Sequence, residues 1–168
     1  MNYHMYLPTR TLFGAGELNN LNIQEMPGRK AMIVISNGNS ARANGALGRT
    51  EEQLHLAGVE TAVFDRVQAN PLKDTVMEGA AFARENGCDF VVALGGGSVM
   101  DAAKIMAMMA PNPGDLWDYV AGATGKNKPL ENRPLPVVCI TTTAGTGSEV
   151  DAWGVVTNPD THEKIGCG

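Results

Sequence analysis

Residues 89 to 104 read Asp-Phe-Val-Val-Ala-Leu-Gly-Gly-Gly-Ser-Val-Met-Asp-Ala-Ala-Lys, and no other stretch constrains the fold as strongly. Phe90 to Leu94 is an uninterrupted apolar run of strand length, the pattern of a strand covered on both faces. Such strands belong to parallel sheets flanked by helices. The run ends in Gly95, Gly96 and Gly97, whose lack of a Cβ lets a ligand approach the backbone closely. A helix start follows, where unpaired N–H groups and the helix dipole favour an anion such as a phosphate. Ser98 and Asp101 have the S-x-x-D spacing of a capping box that would close this helix, and the Ser98 hydroxyl is also placed to touch the anion.

Neither common nucleotide-loop pattern fits. A G-x-G-x-x-G motif begun at Gly95 would need glycine where Met100 stands, and no G-x-x-x-x-G-K-[ST] run occurs, which argues against a P-loop NTPase.

The rest of the chain alternates in the same style. Ala31 to Ile35 is a buried strand and Asn37-Gly38-Asn39-Ser40 a turn. Leu47 to Ala57 is a helix, Thr61 to Phe64 a strand, Thr75 to Glu85 a helix, and Val99 to Met109 the helix after the glycine turn. This order predicts an α/β fold, a Rossmann-like parallel sheet flanked by helices. Ligands in such folds sit beyond the carboxyl ends of the strands, so Ser36 to Ser40, Asn70-Pro71 and Gly95 to Ser98 should share one edge.

Ahead of this core, Thr11 to Gly16 reads as a short strand pair or edge strand ending in a glycine turn. Behind it, residues 111 to 136 hold five of the nine prolines and read as a long irregular excursion with one helical turn at Asp115 to Tyr119. Pro136 to Ile140 is a further buried strand delivering Thr141-Thr142-Thr143-Ala144-Gly145-Thr146-Gly147-Ser148-Glu149, more hydroxyls than turn chemistry alone requires. Val155 to Thr157 and Lys164-Ile165 form a hairpin around Asn158-Pro159-Asp160.

At 168 residues and 43% hydrophobic content, one domain over 1–168 is expected. The net charge of −5 and the lack of a long Lys/Arg cluster give no support for a nucleic-acid footprint. With no leader-like or bilayer-length apolar run, a cytoplasmic protein without membrane contact is expected. Cys88, Cys139 and Cys167 form no C-x-x-C, and His4, His55 and His162 are scattered, so neither a disulfide framework nor a metal site is indicated.

Three motifs in order, Gly95-Gly96-Gly97-Ser98-Val99-Met100-Asp101-Ala102-Ala103-Lys104, then Thr142-Thr143-Ala144-Gly145-Thr146-Gly147-Ser148-Glu149, with Asn70-Pro71 upstream, resemble those of the iron-containing (metal-dependent) alcohol dehydrogenases. That family shares a fold with glycerol dehydrogenase and dehydroquinate synthase. The resemblance implies a nucleotide-binding α/β domain followed by a helical domain that holds a divalent metal, Fe or Zn. It implies that Gly96, Gly97 and Ser98, with Asp101 beside them, hold the diphosphate of a nicotinamide dinucleotide. Thr142, Thr143 and Thr146 would line the adenine and ribose side, Lys164 would reach the cofactor, and Asn70 would close the pocket.

NAD-preferring members carry an Asp at the end of the first strand, to hold the ribose 2′-OH. Here Ser36 stands there, followed by Asn37, Gly38, Asn39 and Ser40, a stretch that resembles NADP-preferring, butanol dehydrogenase-like members. NADP is therefore expected over NAD. The family's metal ligands, an Asp and histidines, would lie beyond Gly168, so no catalytic or metal residue is assigned, and cofactor binding with little turnover is expected from these residues alone. A small alcohol or aldehyde would be the substrate of the full enzyme, and a homo-oligomer its state. A dehydroquinate synthase-like lyase domain and a non-catalytic nucleotide-binding module are the alternatives. The Thr-Thr-Ala-Gly-Thr-Gly-Ser-Glu run favours the dehydrogenase.

Overall fold

A computed structural model describes residues 2–4 and 6–168. Its centre is a four-stranded sheet in the order β2-β1-β3-β4, built from β1 (Lys30–Ser36), β2 (Glu60–Val67), β3 (Phe90–Gly95) and β4 (Val137–Thr141). Every pairing in it is parallel. All four carboxyl ends therefore emerge at one edge.

Alternation of side chains along each strand divides the interior into two cores. Ile33, Ile35, Phe90, Val92 and Leu94 face α2 (Ala46–Leu56), through Leu47 and Leu54, and a 3-10 helix over Glu17–Ile23, through Leu21. Met32, Val34, Phe64, Val91 and Ala93 face α3 (Lys73–Glu85) and α4 (Gly97–Met109). Both faces of the sheet are thus covered, which is why β1 and β3 are apolar at every central position rather than alternating. Met106 and Met109 of α4 are fully buried, and a side chain on Gly79 of α3 would overlap Met106. Met106 fills the space that Gly79 leaves between the two helices.

Beyond α4 come α5 (Leu116–Tyr119) and a separate antiparallel hairpin of β5 (Gly154–Asn158) and β6 (Glu163–Cys167). Short α5 carries the capping box that its sequence favours: Asp115 Oδ1 accepts from Trp117 N at 2.9 Å, and Asp118 reaches back to Asp115 N. The hairpin does not extend the large sheet. It lies against α4 and meets the loop before α3 through a bridge between Thr157 and Leu72.

Three expectations need correction. Thr11 to Phe13 form no strand, and after the turn at Gly14 to Gly16 the chain enters the 3-10 helix. Among the described residues no strand pairs with this segment, so its backbone has no ladder to join. Helix α4 begins at Gly97 rather than Val99, with Gly96 as its N-cap and no side-chain cap, so the expected Ser98–Asp101 capping box does not form. Ser98 already lies inside the first turn, where its hydroxyl no longer faces the orphan donors. A short helix, α1 (Ser40–Ala43), follows directly on the turn at residues 37 to 39.

Candidate cofactor-binding site

Two adjoining concavities, of about 320 and 280 Å³, open at the edge where the parallel strands end. They share Gly97 and Ser98, the first two residues of α4. The first is bounded by Ser36 from β1, Gln68 and Ala69 after β2, Gly96 after β3 and Thr143 after β4. The second is bounded by Asn70 and Pro71, by Asp101 and Thr146, and by Val155 and Lys164 of the hairpin. The loops after β1, β2, β3 and β4 arrive here because parallel strands all end at the same edge, and the hairpin reaches it by packing against α4.

The glycines set the width of this groove. A Cβ on Gly95 would lie 2.6 Å from the side chain of Val99, so glycine here is what lets the strand turn into α4. A Cβ on Gly96 would come within 2.9 Å of Thr143 Oγ1, and one on Gly97 within 3.5 Å of Thr146 Oγ1. Bare backbone and threonine hydroxyls therefore face each other across the N-terminus of a 13-residue helix. Gly96, the N-cap, has extended backbone (φ −90°, ψ −169°) and accepts from Val99 N at 3.0 Å and Met100 N at 3.1 Å, and the N–H groups of Gly97 and Ser98 ahead of them are a donor set suited to phosphate oxygens.

Lys164 supplies the positive charge. Its Nζ donates to Asn70 Oδ1 at 2.7 Å, and among the described residues no carboxylate lies within ion-pair distance of it. Asn70 has left-handed backbone (φ 54°), a conformation asparagine tolerates better than most residues, and its N–H points to Ser98 Oγ at 3.4 Å. One asparagine thus links the loop after β2, the start of α4 and the hairpin.

Of the residues singled out from the sequence, Ser36, Asn70, Gly96, Gly97, Ser98, Asp101, Thr143, Thr146 and Lys164 line the two concavities. Five do not. Asn37 ties its N–H to Val67 O at 2.8 Å, and Thr142 donates to Gly95 O at 3.0 Å, continuing the β3–β4 pairing past the strand end. Gly38 sits beside the Ser36 hydroxyl, while Asn39 and Ser40 lead into α1 on the exposed rim. Asp101 borders the groove, but its carboxylate is engaged: Ser148 Oγ donates to Oδ1 at 2.6 Å and Val155 N to Oδ2 at 3.1 Å. Sequence reasoning missed Gln68, Ala69 and Val155, and it gave Lys104 no role. The first two follow a strand and precede Asn70, so the strand-end rule applied to them equally.

The cysteines are free and take no part. Burial raises the thiols of Cys88 and Cys139 above their ordinary range and pushes Cys167 up to about 12, keeping all three protonated. No group of three or more His, Cys, Asp or Glu among the described residues is placed to hold a metal ion. Backbone N–H groups, threonine hydroxyls and one lysine give the groove the chemistry to meet phosphate and ribose oxygens.

Residues 8–168 match the family model described as iron-containing alcohol dehydrogenase. The chain belongs to that family. The membership confirms the resemblance read from the three motifs. The chain is 37% identical, over 99% of its length and 42% of the relative's, to a probable NADH-dependent butanol dehydrogenase of Bacillus subtilis. In structure it resembles an alcohol dehydrogenase from an archaeal halo-thermophile of a Red Sea brine pool, with a TM-score of 0.90, 38% identity, and coverage of 100% of this chain and 43% of that one. It also resembles the sulfoacetaldehyde reductase of Bifidobacterium kashiwanohense, solved in complex with NAD+, with a TM-score of 0.82, 30% identity, and coverage of 99% and 43%. This alcohol dehydrogenase-family chain thus spans about two-fifths of the length of the relatives it matches.

Proposed function

We propose that residues 1–168 are the nicotinamide-dinucleotide-binding part of an alcohol dehydrogenase that interconverts alcohols with aldehydes or ketones by hydride transfer. The observation that carries this reading is the junction of the two concavities at Gly97 and Ser98, where a helix N-terminus, glycine backbone and threonine hydroxyls converge. On this reading the first turn of α4 takes the diphosphate. Thr143 and Thr146 flank it, and Lys164 and Asn70 hold the neighbouring ribose. The cofactor supplies the hydride acceptor when bound; these residues bind it, orient it and exclude water from one side. A divalent metal, Fe or Zn, belongs on this reading to parts of the enzyme outside these residues.

We further propose that NADP binds more tightly than NAD. Ser36 stands at the end of β1, and no carboxylate is among the residues lining the first concavity. A 2′-phosphate would meet no like charge from that lining, and the Ser36 hydroxyl offers it a donor. Cytoplasmic location and homo-oligomerisation belong to the same reading. The free cysteines support the first and the exposed Phe13 and Tyr6 side chains the second.

Calorimetric titration of NADPH and NADH into the 168-residue chain tests both proposals. Saturable binding of each, with NADPH tighter, is expected. Tighter NADH would overturn the preference alone; no heat from either would overturn the assignment of the groove.

A further inference from the structure

Three residues of α4 recur at helical spacing on one side: Ser98, Asp101 and Lys104. Ser98 lies in the groove and Asp101 at its border, but Lys104 lies behind it. Its side chain is only 10% exposed. A buried ammonium is costly unless its donors are met, and here they are met by a single loop. Lys104 Nζ donates to Ser148 O at 2.9 Å, Ser148 Oγ at 2.7 Å and Asp151 Oδ1 at 2.8 Å, and reaches Asp151 O and Trp153 O as well.

The rest of the cluster closes on the same loop. Ser148 Oγ in turn donates to Asp101 Oδ1, Asp151 Oδ1 accepts from Trp153 N at 2.9 Å, and Asp101 Oδ2 receives the N–H of Val155. Two charged residues of one helix therefore fix the backbone from Ser148 to Val155. At its start the loop is tied by Thr142 N to Gly95 O at 3.0 Å and by Thr141 Oγ1 to Thr143 O at 2.9 Å. Thr141 to Thr146 are exposed, and the segment from Thr142 to Trp153 contains no helix or strand. Yet it is this loop that brings Thr143 Oγ1 and Thr146 Oγ1 opposite Gly96 and Gly97.

The geometry points to Lys104 as the positioning residue of the groove: it anchors the loop at Ser148, Asp151 and Trp153, and so sets the distance between the threonine hydroxyls and the start of α4. It touches no ligand itself. Lys104 has this role only if the cofactor reading above holds. Loss of the ammonium would leave Ser148 O and Trp153 O without a common donor and Asp101 and Asp151 without their shared countercharge. The loop would then sample many positions, and each binding event would have to order it again.

The test compares the parent chain with K104M and D151N by NADPH titration and by fluorine NMR of fluorotryptophan-labelled protein. Trp153 reports the loop, and buried Trp117, whose Nε1 bonds to Glu163, reports the remaining fold. K104M should weaken NADPH about tenfold and D151N about threefold, the scale of losing or weakening a charge-assisted anchor. In both, the Trp153 resonance should shift or broaden while that of Trp117 stays in place. Should K104M fail to fold, D151N decides, because Asp151 is half exposed and its replacement leaves the lysine its backbone acceptors. Parent-like NADPH affinity in a folded variant whose Trp153 signal has moved overturns the positioning role alone. Absence of NADPH binding by the parent overturns the cofactor reading and this role with it.

Discussion

Replacing Gly154 with alanine should drive the β5–β6 hairpin away from α4. At this position the strand packs backbone to backbone on the helix: an added Cβ would lie 2.6 Å from Asp101 O and 3.0 Å from Ile105 Cγ1. Neither neighbour yields easily. A carbonyl inside a helix is fixed by its own hydrogen bond, and Ile105 is 1% exposed, with no solvent to rotate into. Restoring ordinary contact at 3.4 Å requires the strand to retreat by about 0.8 Å. Such a movement would stretch the bond from Val155 N to Asp101 Oδ2, now 3.1 Å, past useful length. Overpacking of this kind costs about 1–3 kcal/mol. For a chain of this size that lowers Tm by roughly 2–12 °C. Circular dichroism melts of the parent, G154A and a control, G145A, where nothing lies within 4 Å, would measure it. A G154A protein melting within about 1 °C of the parent would refute the claim that this approach is close and rigid.

Gly48 should behave in the opposite way. It lies exposed inside α2, with nothing within 4 Å of an added Cβ, so G48A should stabilise by about 0.5–1 kcal/mol, read as a higher midpoint in urea. Glu163 carries an acid-dependent contact. Its carboxylate accepts from Thr124 Oγ1 at 2.6 Å, Trp117 Nε1 at 2.8 Å, Thr161 Oγ1 at 2.8 Å and Thr124 N at 3.0 Å, which together hold its pKa at about 2 rather than the ordinary 4.5. The stabilisation is therefore complete above about 4.5 and is lost as pH falls through about 2. E163Q should be less stable than the parent at neutral pH, with the gap closing as acid is added. Parallel acid-unfolding curves would contradict the assignment. Asp118, held at about 2 chiefly by Lys126, should keep some acid dependence in both proteins.

The elements legible from sequence were those set by neighbours in the chain. An unbroken apolar run such as Phe90 to Leu94, bounded by glycines, reads as a strand buried on both faces, and three glycines before a helical pattern read as a tight turn whose backbone a ligand could approach. From these the α/β class and the edge that carries the groove follow, since parallel strands deliver their ends to one side. The motif order of glycine turn and threonine-rich loop also carried the family. Elements without a local signal were read less well. Thr11 to Phe13 has strand-like residues but no partner to pair with. Ser98 and Asp101 have the spacing of a cap, yet the helix starts one residue before Ser98 and leaves them inside it.

Only the tertiary structure decided what the charged side chains do. Lys104 and Ser148 are 44 residues apart, Asp101 and Val155 are 54 apart, and Trp117 and Glu163 are 46 apart. Periodicity reports which face of an element is buried, because that depends on the backbone's own repeat. It is silent on which distant polar group arrives at that face. Such pairings follow from the way α4, the loop after β4 and the hairpin pack together, and burial then obliges each polar atom to find a partner among those that packing has brought within reach.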